Sequence, residues 1–194
     1  MRATRFLSAG ARGGGTATFL LPLLMVSVMP SLSATPQGDP AMSFALSSTA
    51  FEQGQYIPKK HTGEGADLSP ALQWVNPPSG TKSFALVCDD PDAPVGTWVH
   101  WVIFNIPGEA EGLPEGVPPD KELKGGARQG VNDFRKIGYG GPMPPRSSVH
   151  RYFFKLYALD NPLILNPGVK KADLLKAMEK HILGQAELMG LYKR

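Results

Sequence analysis

The sequence predicts a mainly β fold: an antiparallel β-sandwich with long loops and a C-terminal amphipathic helix. Three observations predict it. Short runs of β-branched and aromatic residues recur along the chain, 19 Pro and 22 Gly separate these runs, and only one stretch has helical periodicity. Chains divided in this way are typical of antiparallel sheets joined by turns.

The expected strands follow one another from residue 42 onward. In chain order they cover residues 42–46, 72–75, 83–88, 99–105, 152–159 and 187–192. Residues 107–133 are rich in Gly and Pro and lack periodicity. Loops of that length are uncommon in compact domains and often line a site.

One helix is expected over residues 171–183. Its apolar residues recur at spacings near three and four, lysines lie between them, and Gly184 follows as a stop signal. We expect this helix to cover an edge or a face of the sheet.

The first 34 residues resemble a secretory signal peptide. Arg2, Arg5 and Arg12 precede an apolar run at residues 19–29, and small residues follow at Ser31 and Ser33. The run is short for a membrane span, which needs ~20 residues, so a retained anchor is the weaker alternative. We therefore expect a signal peptide over 1–34, a flexible spacer over 35–41, a domain over 42–194 and a periplasmic or secreted protein without a transmembrane segment.

The charge of the mature domain argues against nucleic acid as a partner. Of the 20 Lys and Arg residues, three precede residue 35 and no Asp or Glu does, so 17 basic residues face 17 acidic ones. A neutral domain lacks the cationic surface that binds phosphate backbones. Cys88, the one cysteine, allows no intramolecular disulfide and lies in an apolar run where a buried, inert thiol is expected.

An acidic turn and a histidine-bearing strand lie close together in the sequence. Asp90-Pro91-Asp92-Ala93-Pro94 follows the third expected strand, and its prolines stiffen the turn. These carboxylates either bind a ligand or accept hydrogen bonds from their own backbone. In the following strand, alternation puts Trp98, His100 and Val102 on one face and Val99, Trp101 and Ile103 on the other. A lone histidine there is more often a core residue than a ligand-binding one.

A second rigid turn precedes another strand with a histidine. Residues 138–145 read Gly-Tyr-Gly-Gly-Pro-Met-Pro-Pro, and residues 148–152 read Ser-Val-His-Arg-Tyr. Alternation puts His150 and Tyr152 on one face and Arg151 on the other.

Together these motifs resemble the phosphatidylethanolamine-binding protein family, and most closely its bacterial Raf-kinase-inhibitor-like branch. The resemblance covers roughly residues 42–192 and includes Leu68-Ser69-Pro70, Trp74 and Gln129-Gly130-x-Asn132-Asp133-Phe134. It implies a small cavity at one end of the sandwich that binds phosphate or a phospholipid head group. No cofactor is implied.

The resemblance also assigns residues to this cavity. Its polar floor would come from Asp90, His100, His150 and Tyr152, and its walls from Pro94, Trp98, Gly141, Met143, Pro144 and Pro145. Asp90 would orient a histidine and favour its protonated form. Arg151 would have a structural role, in an ion pair with Asp92.

Two departures and one backbone feature complete these expectations. Ser148 stands where the family usually has Gly, and Met143 where relatives often have a smaller residue or Cys, so Met143 could narrow the cavity. Because an X-Pro bond becomes cis at a modest cost of about 0.5–1 kcal/mol, we expect a cis bond between Ala93 and Pro94.

Three other functions remain open. A hydrolase could use Ser147 or Ser148 with His150 and Asp90, but the Gly-x-Ser-x-Gly elbow is missing. A metal site could use Asp90 with two histidines. Finally, the protein could inhibit a protease or another envelope partner through its surface loops, as some relatives do.

Overall fold

A computed structural model describes residues 43–194 and Gly14. All elements below belong to one compact unit, residues 40–194. The expected signal peptide over 1–34 and the spacer over 35–41 lie outside the described residues. Among the residues that are described, no helix is long and apolar enough to cross a membrane.

The fold consists of two antiparallel sheets. The smaller sheet has the order β1-β2-β5 and the larger one β6-β4-β3-β7-β8. The strands are β1 Ala45–Ser48, β2 Leu72–Val75, β3 Ser83–Asp90, β4 Trp98–Pro107, β5 Gly112–Leu113, β6 Arg128–Gln129, β7 Val149–Leu159 and β8 Ile182–Lys193. Helix α1 is Lys171–Met178, and a 3-10 turn covers Lys59–His61. The mainly β prediction is thus confirmed.

The main core lies between the two sheets. Leu46, Leu72 and Trp74 of the smaller sheet pack in one buried cluster with residues of the larger sheet such as Trp101 and Phe154. A second cluster lies on the opposite face of the larger sheet, under α1. Because both of its faces are covered, β3 is buried along its whole length, which explains its continuous apolar sequence.

Two short strands were not expected. Both β5 and β6 lie in the segment 107–133 that sequence alone predicts to be a loop. Each has two residues, and Gly112 pairs with Gln73 of β2 so closely that an added Cβ would clash with the Leu72 carbonyl. Pairings this short depend on tertiary contacts rather than on local sequence.

The helix prediction is correct in place but wrong at its C-terminal end. The helix ends at Met178 rather than near Leu183, and Ile182 already pairs with Leu159 of β7. The amphipathic sequence pattern continues to Leu183, but the helix does not. The backbone groups of residues 182–193 form their hydrogen bonds with β7 instead. Leu174 and Met178 are the buried helical residues.

A β-bulge in β4 changes the expected alternation. Trp101 pairs with Cys88 and Val99 pairs with Asp89, so His100 is an extra residue without a partner in β3. As a result His100 and Trp101 both face the space between the sheets, whereas Val102 packs in the second cluster with Val99. The prediction that His100 and Val102 share a face is therefore wrong.

Candidate functional site

A cavity of about 240 Å³ lies where β3 ends and β4 and β7 begin. It combines polar side chains with apolar and proline walls. Its lining consists of Asp90, Ala93, Pro94, Val95, Trp98, His100, Phe134, Met143, Pro144, Pro145 and His150.

A buried carboxylate–histidine pair forms the polar floor. His150 Nδ1 lies 2.8 Å from Asp90 Oδ2, and the two side chains are 6% and 4% exposed. The other oxygen of Asp90 accepts a hydrogen bond from the Asp92 backbone N–H at 2.8 Å. Since an ionised carboxylate only accepts, His150 carries a proton on Nδ1 and directs Nε2 away from Asp90.

His100 is the second buried histidine of the cavity. Its Nδ1 lies 2.6 Å from the carbonyl oxygen of Gly140, and a carbonyl only accepts, so Nδ1 carries a proton. Nε2 therefore accepts when the ring is neutral and donates only when the ring is protonated. Burial lowers the pKa of His100, an effect that the Gly140 contact and the charge of Asp90 partly oppose.

Ser148 contacts the free nitrogen of His150. Its hydroxyl oxygen lies 3.2 Å from His150 Nε2 and 2.8 Å from the carbonyl oxygen of Pro145. The hydroxyl has one proton. It can donate this proton to Nε2 of a neutral His150 ring or to the Pro145 carbonyl, and in the second case Nε2 donates to the Ser148 oxygen only when the ring is an imidazolium.

Tyr152 lies behind the cavity rather than at its surface. Its ring packs edge-on against His100 at 5.1 Å, and it is fully buried. Its hydroxyl and the indole N–H of Trp98 have no hydrogen-bond partner among the described residues. Burial, followed by the charge of Asp90, raises the pKa of Tyr152, so the hydroxyl keeps its proton and remains a donor.

The turn that follows Asp90 has no cis peptide bond, so the prediction of a cis Ala93-Pro94 bond is wrong. The chain reverses by an ordinary β-turn instead. The Gly96 N–H donates to the Ala93 carbonyl at 3.0 Å, and Gly96 has φ +96°. Pro94 takes the second position of that turn, where a trans proline fits.

In the glycine-rich turn, residues 138–145, two backbone N–H groups already donate to acceptors within the protein. The Gly140 N–H donates to the His100 carbonyl at 2.9 Å, and the Gly141 N–H donates to Asp67 at 2.6 Å. Gly141 lines a neighbouring cavity of about 210 Å³ together with Asp67. Met143 and Phe134 line both cavities and separate them. An added Cβ at Gly141 would lie 2.6 Å from Asp67 and from the His61 carbonyl.

Arg151 points away from the cavity and pairs with Asp92. Its Nη2 and Nε donate to the two carboxylate oxygens at 2.7 and 2.9 Å, and its backbone N–H also donates to Asp92. These contacts lower the pKa of Asp92 to about 2. The pair lies at the surface, with Arg151 52% exposed, and it ties the turn to β7.

Most of the residues that the sequence assigns to the site meet at this one cavity. Asp90, Pro94, Trp98, His100, Met143, Pro144, Pro145 and His150 line it, while Tyr152 lies behind it and Gly141 beside it. Sequence reasoning missed Ala93, Val95 and Phe134. The Asn-Asp-Phe motif contained the signal for Phe134, whose ring lies 5.3 Å from that of His100.

The other expected chemistries find less support in the geometry. Within residues 43–194, no group of three His, Cys, Asp or Glu side chains is placed to hold a metal ion. Ser148, His150 and Asp90 do form a hydrogen-bonded chain, but Ser148 is not among the residues that line the cavity. Cys88 is buried, and burial raises the pKa of its thiol well above the ordinary value.

The comparisons with known proteins agree with one another. The family model described as phosphatidylethanolamine-binding protein matches residues 47–193. A UPF0098 protein of Methanothermobacter thermautotrophicus is 54% identical over 149 residues, which are 77% of this chain and 98% of that protein. A UPF0098 protein of Aquifex aeolicus is 49% identical, over 76% of this chain and 86% of that protein.

Solved structures of the same family share the fold. The homologue CT736 of Chlamydia trachomatis has a TM-score of 0.72 and 40% identity, over 78% of this chain and 98% of that one. YbcL of E. coli, described as a member of the mammalian PEBP family, has the same TM-score and 33% identity, with the same coverage. The chain therefore belongs to the phosphatidylethanolamine-binding protein family.

Proposed function

We propose that this protein binds a small phosphate-like anion, either free or as a phospholipid head group, in the cavity between Asp90, His100 and His150. The observation that carries the proposal is the pairing of His150 with Asp90 in a buried cavity that His100 also lines. The relatives described above are not named as enzymes, and we propose a binding rather than a catalytic role.

The two histidines offer complementary donors to an anion. His150 donates its Nδ1 proton to Asp90, so its Nε2 would donate to a ligand oxygen, in place of the Ser148 oxygen, when the ring is an imidazolium. His100 has its Nδ1 proton on Gly140, so its Nε2 would meet a second ligand oxygen either as an imidazolium donor or as an acceptor from a ligand hydroxyl. Charge-assisted contacts of this kind are short and strong.

The negative charge of Asp90 limits which ligands can bind. The charge of Asp90 would repel an anion. His150, which is hydrogen-bonded to Asp90, offsets that negative charge when its imidazole is protonated. The glycine-rich turn adds little, because the N–H groups of Gly140 and Gly141 already have acceptors. The histidines would therefore supply most of the recognition.

The test is calorimetric titration of the protein with inorganic phosphate and with phosphoethanolamine. His150→Ala should weaken binding by about 1.5–3 kcal/mol, the range for hydrogen bonds to charged groups. His181→Ala is the matched control, because His181 forms a similar pair with Asp160 at 2.7 Å but lies at the opposite end of β7. It should bind as tightly as the unchanged protein.

Two outcomes would contradict the proposal: no binding of either ligand at any pH near neutrality, or equal binding by the His150→Ala and His181→Ala variants. In either case the inhibitor function would become the better hypothesis, and purified proteases would be the next ligands to titrate.

A further inference from the structure

A second cavity lies at the end of β4 and in the segment that joins β4 to β6. Its volume is about 720 Å³, against about 240 Å³ for the cavity beside Asp90, and no residue lines both. The segment belongs to residues 107–133, a loop whose length alone favours a site. Cavities of roughly 300–1,000 Å³ are typical of small-molecule sites.

Hydrogen bonds hold the walls of this cavity, although the segment has little regular structure. The fully buried side chain of Gln129 donates through Nε2 to the carbonyl oxygens of Pro118 and Asp120, at 2.7 and 2.8 Å. The Leu123 N–H donates to the Ala127 carbonyl at 2.8 Å. The cavity is therefore preformed rather than a gap between loose loops.

The floor of the cavity is aliphatic. Ile106, Leu113, Val117 and Ala127 are between 2% and 8% exposed, and the half-buried Leu123 also lines the cavity. None of the described residues that line it is aromatic. An alkyl chain would find close van der Waals partners here, whereas an aromatic ligand would find no ring to stack on.

Three charged residues also line the cavity, and all three are exposed: Asp120, Glu122 and Lys124. Glu122 pairs with Arg128 at 3.5 Å. Neither Asp120 nor Lys124 belongs to an ion pair within residues 43–194. Two carboxylates and one ammonium give the lining a net charge of −1, which favours a ligand with a positive charge.

Of the two charges without an ion pair, Asp120 is the better positioned. Its backbone is fixed by the hydrogen bond from Gln129. Lys124 has a long side chain and precedes two exposed glycines, Gly125 and Gly126, both with positive φ. Ordering the lysine side chain on a ligand would cost more conformational entropy than ordering the aspartate. Asp120 is therefore the group that would select the charge of a ligand.

We propose that this cavity binds an aliphatic amine, with the alkyl chain on the apolar floor and the ammonium group on the Asp120 carboxylate. The cavity lies at the opposite end of β4 from the anion site, so the proposal does not depend on the function proposed above.

The experiment is a titration of the protein, followed by the NMR chemical shifts of its backbone amides, with octylamine, octanol and octanoate. The three ligands share one alkyl chain and differ in charge. Octylamine should bind about fivefold more tightly than octanoate, and octanol should lie between them, because an exposed ion pair adds little to the apolar contacts that all three share. The affinities are taken from residues 106–127, so that octanoate in the anion site is not counted.

Two variants test the two parts of the site. Asp120→Asn should bind octylamine only as tightly as octanol, and Glu179→Gln, which removes an exposed carboxylate after α1, is its control. Leu123→Ser should weaken binding of all three ligands by about fivefold. Its control is Ile164→Ser, because Ile164 is exposed but lines a different cavity with His181.

The outcomes separate this inference from the proposed function. Because Asp120 is exposed, Asp120→Asn tests the charge preference even if Leu123→Ser disturbs the loop. His150→Ala should bind octylamine like the unchanged protein, whatever it does to phosphate binding. Shifts that stay unchanged at residues 106–127 with all three ligands would overturn the proposal, as would octanoate bound there as tightly as octylamine, or a preference for octylamine that survives in Asp120→Asn.

Discussion

At the scale of single residues, Asp90 has two tasks that use its two oxygens separately. Oδ1 accepts the Asp92 N–H and closes the turn, while Oδ2 accepts the His150 ring N–H. The sequence left open whether this carboxylate serves its own backbone or a site. The structure combines both, because a carboxylate with one oxygen fixed on the turn can present the other in a defined direction.

The state of His100 should make anion binding depend on pH. Burial lowers the pKa of His100 in the free protein, and a bound anion would raise that pKa by its charge. Between these two pKa values, binding takes up a proton, so affinity should rise as the pH falls and should level off below the lower value.

Calorimetry in two buffers of different ionisation enthalpy measures this proton uptake. Phosphoethanolamine can bring its own proton, since the second phosphate pKa is about 6, whereas glycerophosphoethanolamine, a phosphodiester, cannot. Proton uptake with the diester would assign the proton to a histidine. Affinity for the diester that stays constant between about pH 6 and about pH 8 would contradict a role for protonated His100.

Ser148 should weaken anion binding by competing for His150. Its oxygen lies 3.2 Å from His150 Nε2, the nitrogen that a ligand would use. Ser148→Ala removes the competitor, and we expect a gain in affinity of about twofold to tenfold, the value of one ordinary hydrogen bond. Ser147→Ala is the control, because Ser147 is exposed and no side-chain hydrogen bond of it is found in the described part of the chain. A loss of affinity in Ser148→Ala would instead mean that Ser148 holds His150 in place.

The positions of single side chains were predictable where a sequence motif contained them. His150, Tyr152 and Arg151 followed from simple alternation along β7, which is regular at this end. His100 was placed correctly in the cavity only through the family resemblance, because the alternation assumed for β4 misses the bulge. Val95 could not be foreseen, since nothing in a solvent-exposed turn residue indicates that a cavity opens beside it.

At the scale of elements, strand interiors were predictable and strand ends were not. The β2 prediction is confirmed in full, whereas β7 and β8 begin three and five residues earlier than expected, at Val149 and Ile182. Their long mutual ladder extends both strands. Pairing partners decide where such strands end, and a partner distant in sequence leaves no local signal.

Helix α1 is held to the larger sheet by a buried charge. Lys171 Nζ lies 2.6 Å from Asp89 Oδ2, and Lys155 Nζ lies 3.6 Å from the same oxygen, while the Asp89 side chain is 2% exposed. The other carboxylate oxygen of Asp89, Oδ1, has no hydrogen-bond partner among the described residues. Asp89 therefore lies on the side of the sheet opposite the cavity, where it pairs with Lys171 of helix α1.

Removing Lys171 should therefore destabilise the domain. Lys171→Ala leaves Asp89 buried with one distant cation, and we expect a loss of about 1–3 kcal/mol in the free energy of unfolding, less than for an aspartate left wholly unpaired. Urea denaturation measures it. Lys176→Ala, an exposed site on the same helix, should change stability by less than about 0.5 kcal/mol. Equal effects in the two variants would show that the ion pair contributes nothing.

At the scale of the whole molecule, the site lies at one end of the larger sheet. The cavity uses the end of β3 and the starts of β4 and β7, three neighbouring strands. The opposite end of β4 meets different loops, which contain Glu109 and Lys124. The core can therefore stabilise the sandwich along its length. The turns at residues 90–94 and 138–145, at one end of the sandwich, remain available for a ligand.

The charge distribution of the whole chain leads to a last prediction, on export. All excess positive charge lies in residues 1–34, which have three Arg and no acidic residue, ahead of the apolar run at 19–29. We propose that this segment is a signal peptide, removed to release a neutral domain into the periplasm or the medium. N-terminal sequencing of the exported protein should find a first residue between Ser33 and Pro36.

A variant with Leu23→Arg and Leu24→Arg tests the cause of this cleavage. Two charges in the apolar run should prevent its insertion into the membrane, so the protein should stay inside the cell and keep Met1. As a control, Lys124→Gln should be exported and cleaved like the unchanged chain. Recovery of Met1 from membrane-bound, otherwise unchanged protein would favour the retained anchor.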